Sequence, residues 1–293
     1  MNRIMILLAI VSLALVSLAC SIQIDLPDTD VKTGPTVTDD ISVPYEDTIT
    51  DNYDVTVEFG AGELAIQPGS ETELISGTAS YNVVDFKPEI SQVNNNVTIE
   101  QGNLKFGGIP FINQDIVNQW ELFLGSQPGK PVNLTINAGA YTGDYELGGL
   151  WISSLEVNDG ASKVNLRFSE PNQAEMESLT YTTGASTVTL EGLGNASPSD
   201  MTFHSGAGNY TLDFSGQLSQ DMQVNISSGV STVTIIMPEG VSAVLTNDST
   251  LITISADGDW TQNGNTFQHP GTGHTITIDA ELGAGTLRLE TGD

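Results

Sequence analysis

The stretch Leu179–Leu190 reads Leu-Thr-Tyr-Thr-Thr-Gly-Ala-Ser-Thr-Val-Thr-Leu, and close copies of it recur along most of the chain. Apolar residues alternate with threonine on both sides of Gly184-Ala185, which is the period-2 pattern of β-strands. The glycine and alanine are small enough for a tight corner. The sequence therefore predicts a repeating unit made of a strand, a corner and a second strand.

Six further copies align with this unit at the glycine and at the apolar positions around it. Their central pairs are Gly60-Ala61, Gly139-Ala140, Gly160-Ala161, Gly206-Ala207, Gly229-Val230 and Gly283-Ala284. In the middle of the chain the glycines recur about every 22 residues, a period typical of solenoids. One unit cannot fold alone, because ordering its backbone costs about 1–2 kcal/mol per residue and it buries few apolar side chains. Stacking makes one continuous core.

The predicted fold is all-β, a single-domain right-handed β-solenoid of stacked short strands with about 22 residues per coil. A β-sandwich whose strands share turn chemistry is the alternative, but the regular Gly-Ala corners favour the solenoid. We expect the solenoid domain to span residues 51–293. Its parts are an irregular first part at 51–130, regular coils at 131–256 and a decorated final coil at 257–293.

The first 19 residues are typical of a signal peptide, since Arg3 precedes a short apolar run that ends at the small Ala19. Cys20 is the only cysteine, so it has no intramolecular disulfide partner. The segment Ser17-Leu18-Ala19-Cys20 resembles the lipobox of bacterial lipoproteins, although Ser stands where Leu is usual. This resemblance implies lipid attachment at Cys20, which would make the membrane a partner. The alternatives are an ordinary cleaved signal and an uncleaved anchor, for which the apolar run is short.

Residues 20–50 are predicted to be the lipidated cysteine followed by a disordered acidic tether. The segment is rich in Asp, Pro and Thr and has few large apolar residues, so it cannot bury a core of its own. Its like charges would keep it extended and hold the folded part away from the membrane. A cation site formed by these carboxylates is an alternative, but no spacing resembles a known calcium loop.

The charge of the chain excludes one class of partner. The formal net charge is −29, and removal of the signal peptide would make it slightly more negative because Arg3 is lost. Nucleic-acid binding depends on Lys and Arg that neutralise phosphates, so nucleic acid is not expected as a partner. Excess acid on an exported β-protein favours solubility and discourages association of strand edges.

Enzyme motifs are missing from the sequence, and no cofactor is expected. There is no G-x-S-x-G elbow, no H-E-x-x-H and no Cys/His cluster. A β-solenoid can nevertheless carry a polysaccharide lyase or hydrolase, which would use carboxylates. The carboxylates of the regular coils do not recur at one coil position and are interpreted as solvated: Glu156, Asp159, Glu170, Glu175, Glu177, Glu191, Asp200, Asp213 and Asp221. The basic residues there are Lys163 and Arg167, which are few for lyase chemistry on acidic sugars.

Two segments interrupt the repeat. Gly107–Ile112 is apolar and could be an exposed partner site, or a cover for the open end of the array. Asp257–His274 is rich in Gly and Asn and is interpreted as a surface loop that caps the last coil. A metal site formed by His269, His274, Asp257 and Asp259 is conceivable, but the spacing matches no known site.

The outward positions of the coils are dominated by Thr, Ser and Asn, as at Thr180, Thr182, Thr187 and Thr189. Threonine ladders suit flat stacked strands through the β-branch and cross-strand hydrogen bonds, so a structural explanation suffices. A regular hydroxyl lattice could also bind a glycan or ice.

The order of these features resembles the toast-rack domain family of bacterial cell-envelope proteins, which is related to adhesin-like proteins. The resemblance is carried by residues 60–66 (GAGELAI), 118–122 (NQWEL), 131–140 (PVNLTINAGA), 147–150 (LGGL) and the coils at 155–161 and 179–185. It implies a β-solenoid outside the cytoplasm and brings no catalytic residues.

The resulting hypothesis is a lipid-anchored, extracytoplasmic, non-enzymatic β-solenoid in the bacterial cell envelope. It would serve as an adhesion, scaffold or envelope-sensing module with an envelope protein or a glycan as partner. The alternative hypothesis is a polysaccharide-active enzyme on the same fold. Function is expected where the repeat is broken, at Gly107–Ile112 or Asp257–His274.

Overall fold

Seven long parallel strands carry the seven copies of the repeat and stack side by side in register. The computed structural model describes residues 33–46, 48–49, 51–102 and 116–292, which belong to one compact unit. In this part of the chain the strands are β1 (Val37–Pro44), β2 (Tyr53–Pro68), β3 (Glu73–Tyr81), β4 (Pro88–Val93), β5 (Asn96–Gln101), β6 (Asn118–Leu124), β7 (Val132–Glu146), β8 (Ile152–Arg167), β9 (Met176–Glu191), β10 (Pro198–Asp213), β11 (Met222–Pro238), β12 (Gly240–Asn247), β13 (Ile252–Ala256), β14 (Thr261–Asn263), β15 (Thr266–His269) and β16 (Gly271–Gly292). A 3-10 turn (Val84–Phe86) and a short helix α1 (Leu193–Ala196) complete the described elements.

The seven long strands are neighbours in the order β2-β7-β8-β9-β10-β11-β16. Each is continuous through its corner rather than two separate strands, and we call the halves before and after the central glycine the first and second arms. Pairing skips only the corner: Ser205 pairs with Ser228 and Ala207 with Val230, while Gly206 and Gly229 between them lie outside the ladder. The β-solenoid prediction is confirmed, with a sheet that has two free ends.

The central glycines form a column in which backbones approach closely. A Cβ placed on Gly229 would lie 2.6 Å from the carbonyl oxygen of Gly206, and one on Gly283 would lie 2.9 Å from that of Gly229. Real Cβ atoms essentially never come within 3.0 Å of a neighbour. The glycine is therefore required by contact with the preceding coil, whereas the next position tolerates a larger side chain, because Val230 there is 67% exposed.

The core lies inside the bend and is built by the alternation seen in the sequence. In β9 the side chains of Leu179 and Tyr181 in the first arm and of Val188 and Leu190 in the second are at most 1% exposed. Burying one such side chain stabilises the fold by about 1.5–3 kcal/mol. The intervening threonines point outward, as predicted. The connections between coils add Leu147, Phe168, Leu193 and Phe214 to the same core, so they close its open side.

Both ends of the array depart from the expected order of coils. The last strand, β16, inserts between β11 and the pair β12 and β13, each of which pairs with one part of β16. At the other end β2 lies directly beside β7, while β5 and β6 pair with its outer edge. The prediction that regular coils run without a break to residue 256 is therefore wrong. A free strand edge exposes unpaired backbone groups. The outer edge of β2 is covered by β5 and β6, and the outer edge of β16 is covered by β12 and β13.

The N-terminal boundary of the folded part also differs from the prediction. Residues 37–44, assigned to the disordered tether, form β1, which pairs antiparallel with β3. Ile41 and Val43 are each 2% exposed, and Thr38 Oγ1 and Ser80 Oγ are hydrogen bonded at 2.8 Å. Two buried apolar side chains and the ladder with β3 compensate for the charged Asp39 and Asp40 that precede them. The tether prediction was wrong here because it weighed composition and missed this short alternation.

Candidate functional site

Two of the sequence-based candidates lie outside the described residues. These are the lipid attachment site Cys20 and the apolar segment Gly107–Ile112. None of the helices in the described part of the chain has the length and apolarity that a membrane crossing requires.

The segment 257–274 is a cap rather than a surface decoration. Strands β14 and β15 form a hairpin whose second strand pairs with β12, and Trp260 and Phe267 are 7% and 1% exposed. His269 is 2% exposed, with Nδ1 2.8 Å from the carbonyl oxygen of Val241 and Nε2 3.2 Å from Thr291 Oγ1. Because a carbonyl only accepts, Nδ1 carries the proton. Both ring nitrogens are therefore engaged, and they join the cap to β12 and to the end of β16.

The second histidine of this segment makes a separate surface contact. His274 Nδ1 lies 3.3 Å from Asp221 Oδ1, which also accepts a 2.9 Å bond from the backbone N–H of Thr275. The Thr275 N–H and then His274 lower the pKa of Asp221. Over the described residues, no group of three or more His, Cys, Asp or Glu could hold a metal ion. The structure thus does not bring His269, His274, Asp257 and Asp259 together as a metal centre.

One carboxylate expected to be solvated is instead part of an internal hydrogen-bond network. Asp159 faces the inside of the corner, where five hydroxyl groups donate to it. Tyr181 Oη and Ser162 Oγ lie 2.7 and 2.9 Å from Oδ2, and Thr183 Oγ1 bonds to Oδ1. Tyr141 and Ser186 complete the set at 3.4 Å. The prediction that Asp159 is solvated failed because the position before the central glycine holds different residue types in different coils. Alternation of apolar and polar residues therefore does not show whether a side chain at this position points inward.

The tyrosines of this network remain protonated. Burial raises the pKa of Tyr181 and of Tyr141 far above the ordinary range, and the neighbouring Asp159 carboxylate raises both further. Burial also raises the pKa of Tyr145. A phenol that keeps its proton can only donate to the carboxylate or accept from another hydroxyl. The network therefore holds adjacent coils together through hydrogen bonds from protonated hydroxyl groups.

On β2, β7 and β8, polar side chains on the outer face of the first arm bond to one another. Asn133 Nδ2 donates to Asp54 Oδ1 at 2.8 Å, and Ser154 Oγ donates to Asn133 Oδ1 at 3.0 Å. A parallel ladder runs from Asn158 through Asn137 to Glu58, with distances of 3.0 and 2.8 Å. These groups satisfy one another across three strands, so a structural explanation suffices for this part of the first arm.

The outer face of the second arm contains the candidate site, which we call the groove. It consists of two adjoining hollows of about 330 and 440 Å³ that share Thr142 and Asp144. Strand register arranges its side chains in two rows perpendicular to the strands. One row is Ser80, Gln119, Glu63, Thr142, Lys163 and Thr187. The other is Thr78, Glu121, Ala65, Asp144, Asn165 and Thr189.

The charges of the groove are of both signs and are partly paired. Arg167 at its rim contacts Asp144 Oδ1 at 2.9 Å and Glu146 Oε2 at 3.5 Å. Partial burial alone would raise the pKa of Glu146, but N–H donors of Gly148 and Ser169 and the charge of Arg167 outweigh it and lower that pKa. The lowered pKa keeps the Glu146 carboxyl ionised, so at the rim of the groove it accepts hydrogen bonds and pairs with Arg167.

Sequence reasoning missed this site because it looked for breaks in the repeat. The groove lies within the repeat, at the junction between the irregular first part and the regular coils. Its one signal in the sequence was the pair Lys163 and Arg167, two residues of a basic-poor chain on the same face of one strand. The residues that lie beside Lys163 and Arg167 on the adjacent strands are known only from the strand register.

The sequence matches the profile of the family described as the N-terminal domain of toast-rack, DUF2154, over residues 32–191 and again over 172–236. Overlapping matches are expected for a repeated unit. No curated protein sequence matches the chain significantly. The two matches together cover more than two thirds of the chain.

One solved structure has the same fold, and two others are more distantly similar. A candidate cell adhesion protein from Clostridium sporogenes ATCC 15579 superposes with a TM-score of 0.50 at 19% identity, covering 88% of this chain and 100% of the other. Candidate adhesins from Bacteroides fragilis NCTC 9343 and Parabacteroides merdae ATCC 43184 have TM-scores of 0.35 and 0.34 at 8% and 9% identity. They cover 87% of this chain and 96% and 97% of their own. By the extent of the family match, this chain belongs to the toast-rack N-terminal domain family.

Proposed function

We propose that this protein is an extracytoplasmic adhesion module that binds its target through the outer face of the solenoid and performs no catalysis. The observation that carries the proposal is the contrast between the two arms. On β2, β7 and β8 the polar groups of the first arm bond to one another in ladders. The second arm of β7–β9 instead presents a groove whose Thr142, Thr187 and Thr189 hydroxyls are exposed or half-buried. A polar surface with free donors and acceptors is what a binding protein offers to a hydrated target.

Two further facts support an adhesive role. The similar Clostridium sporogenes protein is named a candidate cell adhesion protein. The rigid stack of parallel strands also gives a surface whose length grows with each coil, as in other solenoids that bind extended partners. An envelope glycan or an envelope protein is the target that we propose.

Adhesion can be tested directly with the mature chain coupled to fluorescent beads. We expect the beads to be retained on surfaces coated with bacterial envelope fractions or extracellular polysaccharide more strongly than beads coated with albumin. Retention no better than albumin on every surface would refute the proposal. Robust turnover of a polysaccharide that one carboxylate substitution abolishes would favour the enzyme instead.

We also propose that Cys20 carries a lipid that anchors the protein to a membrane, so that the groove is displayed outside the cytoplasm. The support is the signal-like N-terminus and the single cysteine that follows it. Cells expressing the full chain should incorporate a fatty-acid analogue into it, and Cys20→Ala should abolish the label. Label that survives this substitution rules the anchor site out.

A further inference from the structure

We propose that the groove binds a neutral polysaccharide whose chain lies along the solenoid axis, across the strands. This inference rests on the proposed adhesive function and adds to it the site, the orientation and the chemical class of the ligand.

The direction follows from the strand register. The groove crosses six strands, β3, β6, β2, β7, β8 and β9, so at the usual spacing of about 4.8 Å between strands it is roughly 24 Å long. Its two rows run parallel and are separated by two residues along each strand, which is about 6.7 Å. Thr142, at the junction of the two hollows, pairs with Glu63 on one side and Lys163 on the other. A narrow, straight channel of this length fits an extended polymer.

The side chains of the rows are suited to hydroxyl groups. Threonine hydroxyls and the amides of Gln119 and Asn165 both donate and accept hydrogen bonds, as sugar hydroxyls do. Asn165 Oδ1 is buried and has no hydrogen-bond partner among the described residues, so turning this amide towards a ligand breaks no bond from that oxygen. Gln119 Nε2 already donates to Glu63 Oε2 at 3.0 Å. Ala65 is the smallest residue in either row, and its neighbours Glu121 and Asp144 stand on both sides of it. This leaves space for a ring substituent.

The charges favour a neutral chain over a charged one. A polyanion would meet Glu63, Glu121 and Asp144 on a protein with a net charge of −29. A polycation would meet Lys163, which forms no ion pair with any described residue, and Arg167, whose charge is shared between two carboxylates. Charges of both signs within one groove give little net attraction for a polymer of a single sign.

The groove has no exposed aromatic ring among its row residues, so each sugar is held by hydrogen bonds alone. Affinity for a short oligosaccharide is therefore expected to be weak, and strong attachment requires many proteins on one long chain. This is the behaviour of an adhesin on a surface.

The test is binding of the mature chain to immobilised dextran, soluble starch and hydroxyethyl cellulose, with alginate as the anionic comparison. Thr142→Trp fills the groove at its centre, and an exposed Trp is compatible with a strand. Thr232→Trp is the matched control, because Thr232 lies in the same row on β11, outside both hollows. Ala65→Gln is a second groove-filling variant if Thr142→Trp does not fold.

We expect the wild type and Thr232→Trp to bind at least one neutral polysaccharide alike, and the groove-filling variants to bind it about tenfold more weakly. Raising NaCl from about 0.05 to 0.5 M should change binding less than about twofold, since screening affects charged partners. Equal losses in Thr142→Trp and Thr232→Trp would refute the site. Binding to alginate alone, or binding lost in salt, would refute the ligand class. If the beads adhere but none of the three neutral polysaccharides binds, this inference fails while the adhesive function stands.

Discussion

Adding one methyl group to the column of central glycines should destabilise the whole array. A Cβ on Gly184 would lie well under 3.0 Å from the carbonyl oxygen of Gly160 in the preceding coil. The added methyl group would overpack the corner and push the two backbones apart by about half an ångström, at a cost of about 1–3 kcal/mol. It would also lengthen the ladder hydrogen bonds beside the corner, which contribute about 0.5–1.5 kcal/mol each. We therefore expect Gly184→Ala to lower the free energy of unfolding by about 2–4 kcal/mol, and Gly184→Val to lower it further.

The neighbouring residue supplies the control. Ala185 pairs with Ala207, which pairs with Val230, so the same column already holds an exposed valine two coils away. Ala185→Val adds more atoms than Gly184→Ala but places them in solvent, and we expect it to change stability by less than about 0.5 kcal/mol. Urea unfolding of the three proteins, followed by circular dichroism, gives the midpoints. Equal stability of Gly184→Ala and Ala185→Val would show that close backbone approach is not what requires the glycine.

Three further substitutions test the interior and the cap. Asp159→Ala leaves up to five hydroxyl groups without their acceptor and should lower the free energy of unfolding, measured in urea, by about 2–4 kcal/mol. The control Glu156→Ala, on the adjacent outer face, should lower it by less than about 1 kcal/mol. Similar losses of stability in the two variants would contradict the role of Asp159 in the network. Because the folded-state pKa of Glu146 is lowered, its contribution is present above the unfolded pKa of about 4.3 and is lost as pH falls through the folded value. Glu146→Gln should thus be less stable than wild type at pH 7 and equal to it near pH 3, and a difference that persists at pH 3 would refute this assignment. His269→Ala removes the two side-chain hydrogen bonds that join His269 to Val241 and Thr291. Thermal unfolding should therefore shift down, and tryptophan fluorescence should move to the red as Trp260 becomes exposed. Unchanged fluorescence would show that the other contacts of the cap hold it in place.

The sequence predicted the repeating units correctly but did not predict which units lie side by side in the sheet. All seven glycine copies recognised from the pattern, from Gly60 to Gly283, occupy one column of the structure. Alternation and small residues are local properties, so they can be recognised in each copy separately. Which copies touch depends on how the chain between them folds, and β16 lies against β11 although β12–β15 separate them in sequence.

For the candidate site, too, the sequence predicted local features but not the contacts between strands. Threonine, amide and carboxylate residues at alternate positions identified the outer face, but they gave no reason to choose one arm over the other. Asp54, Asn133 and Ser154 bond to one another because the register aligns them. In the second arm the same register places Ala65 beside Asp144, which lies beside Asn165 on the next strand, and the short side chain of Ala65 leaves space in the groove. The difference between the hydrogen-bonded ladders and the groove depends on which residues, far apart in the chain, become neighbours across the strands.

The sequence by itself determined the β-solenoid, its inward and outward residues, its acidity and the absence of recognisable enzyme motifs, because each follows from local alternation or composition. Only the tertiary structure decided that Asp159 is an internal acceptor, that the cap at Asp257–His274 contains a hairpin paired with β12, and that the groove crosses six strands. These depend on register and on the order of strands in the sheet. Contacts between coils are made by residues 20 or more positions apart, and no pattern within a single unit specifies them.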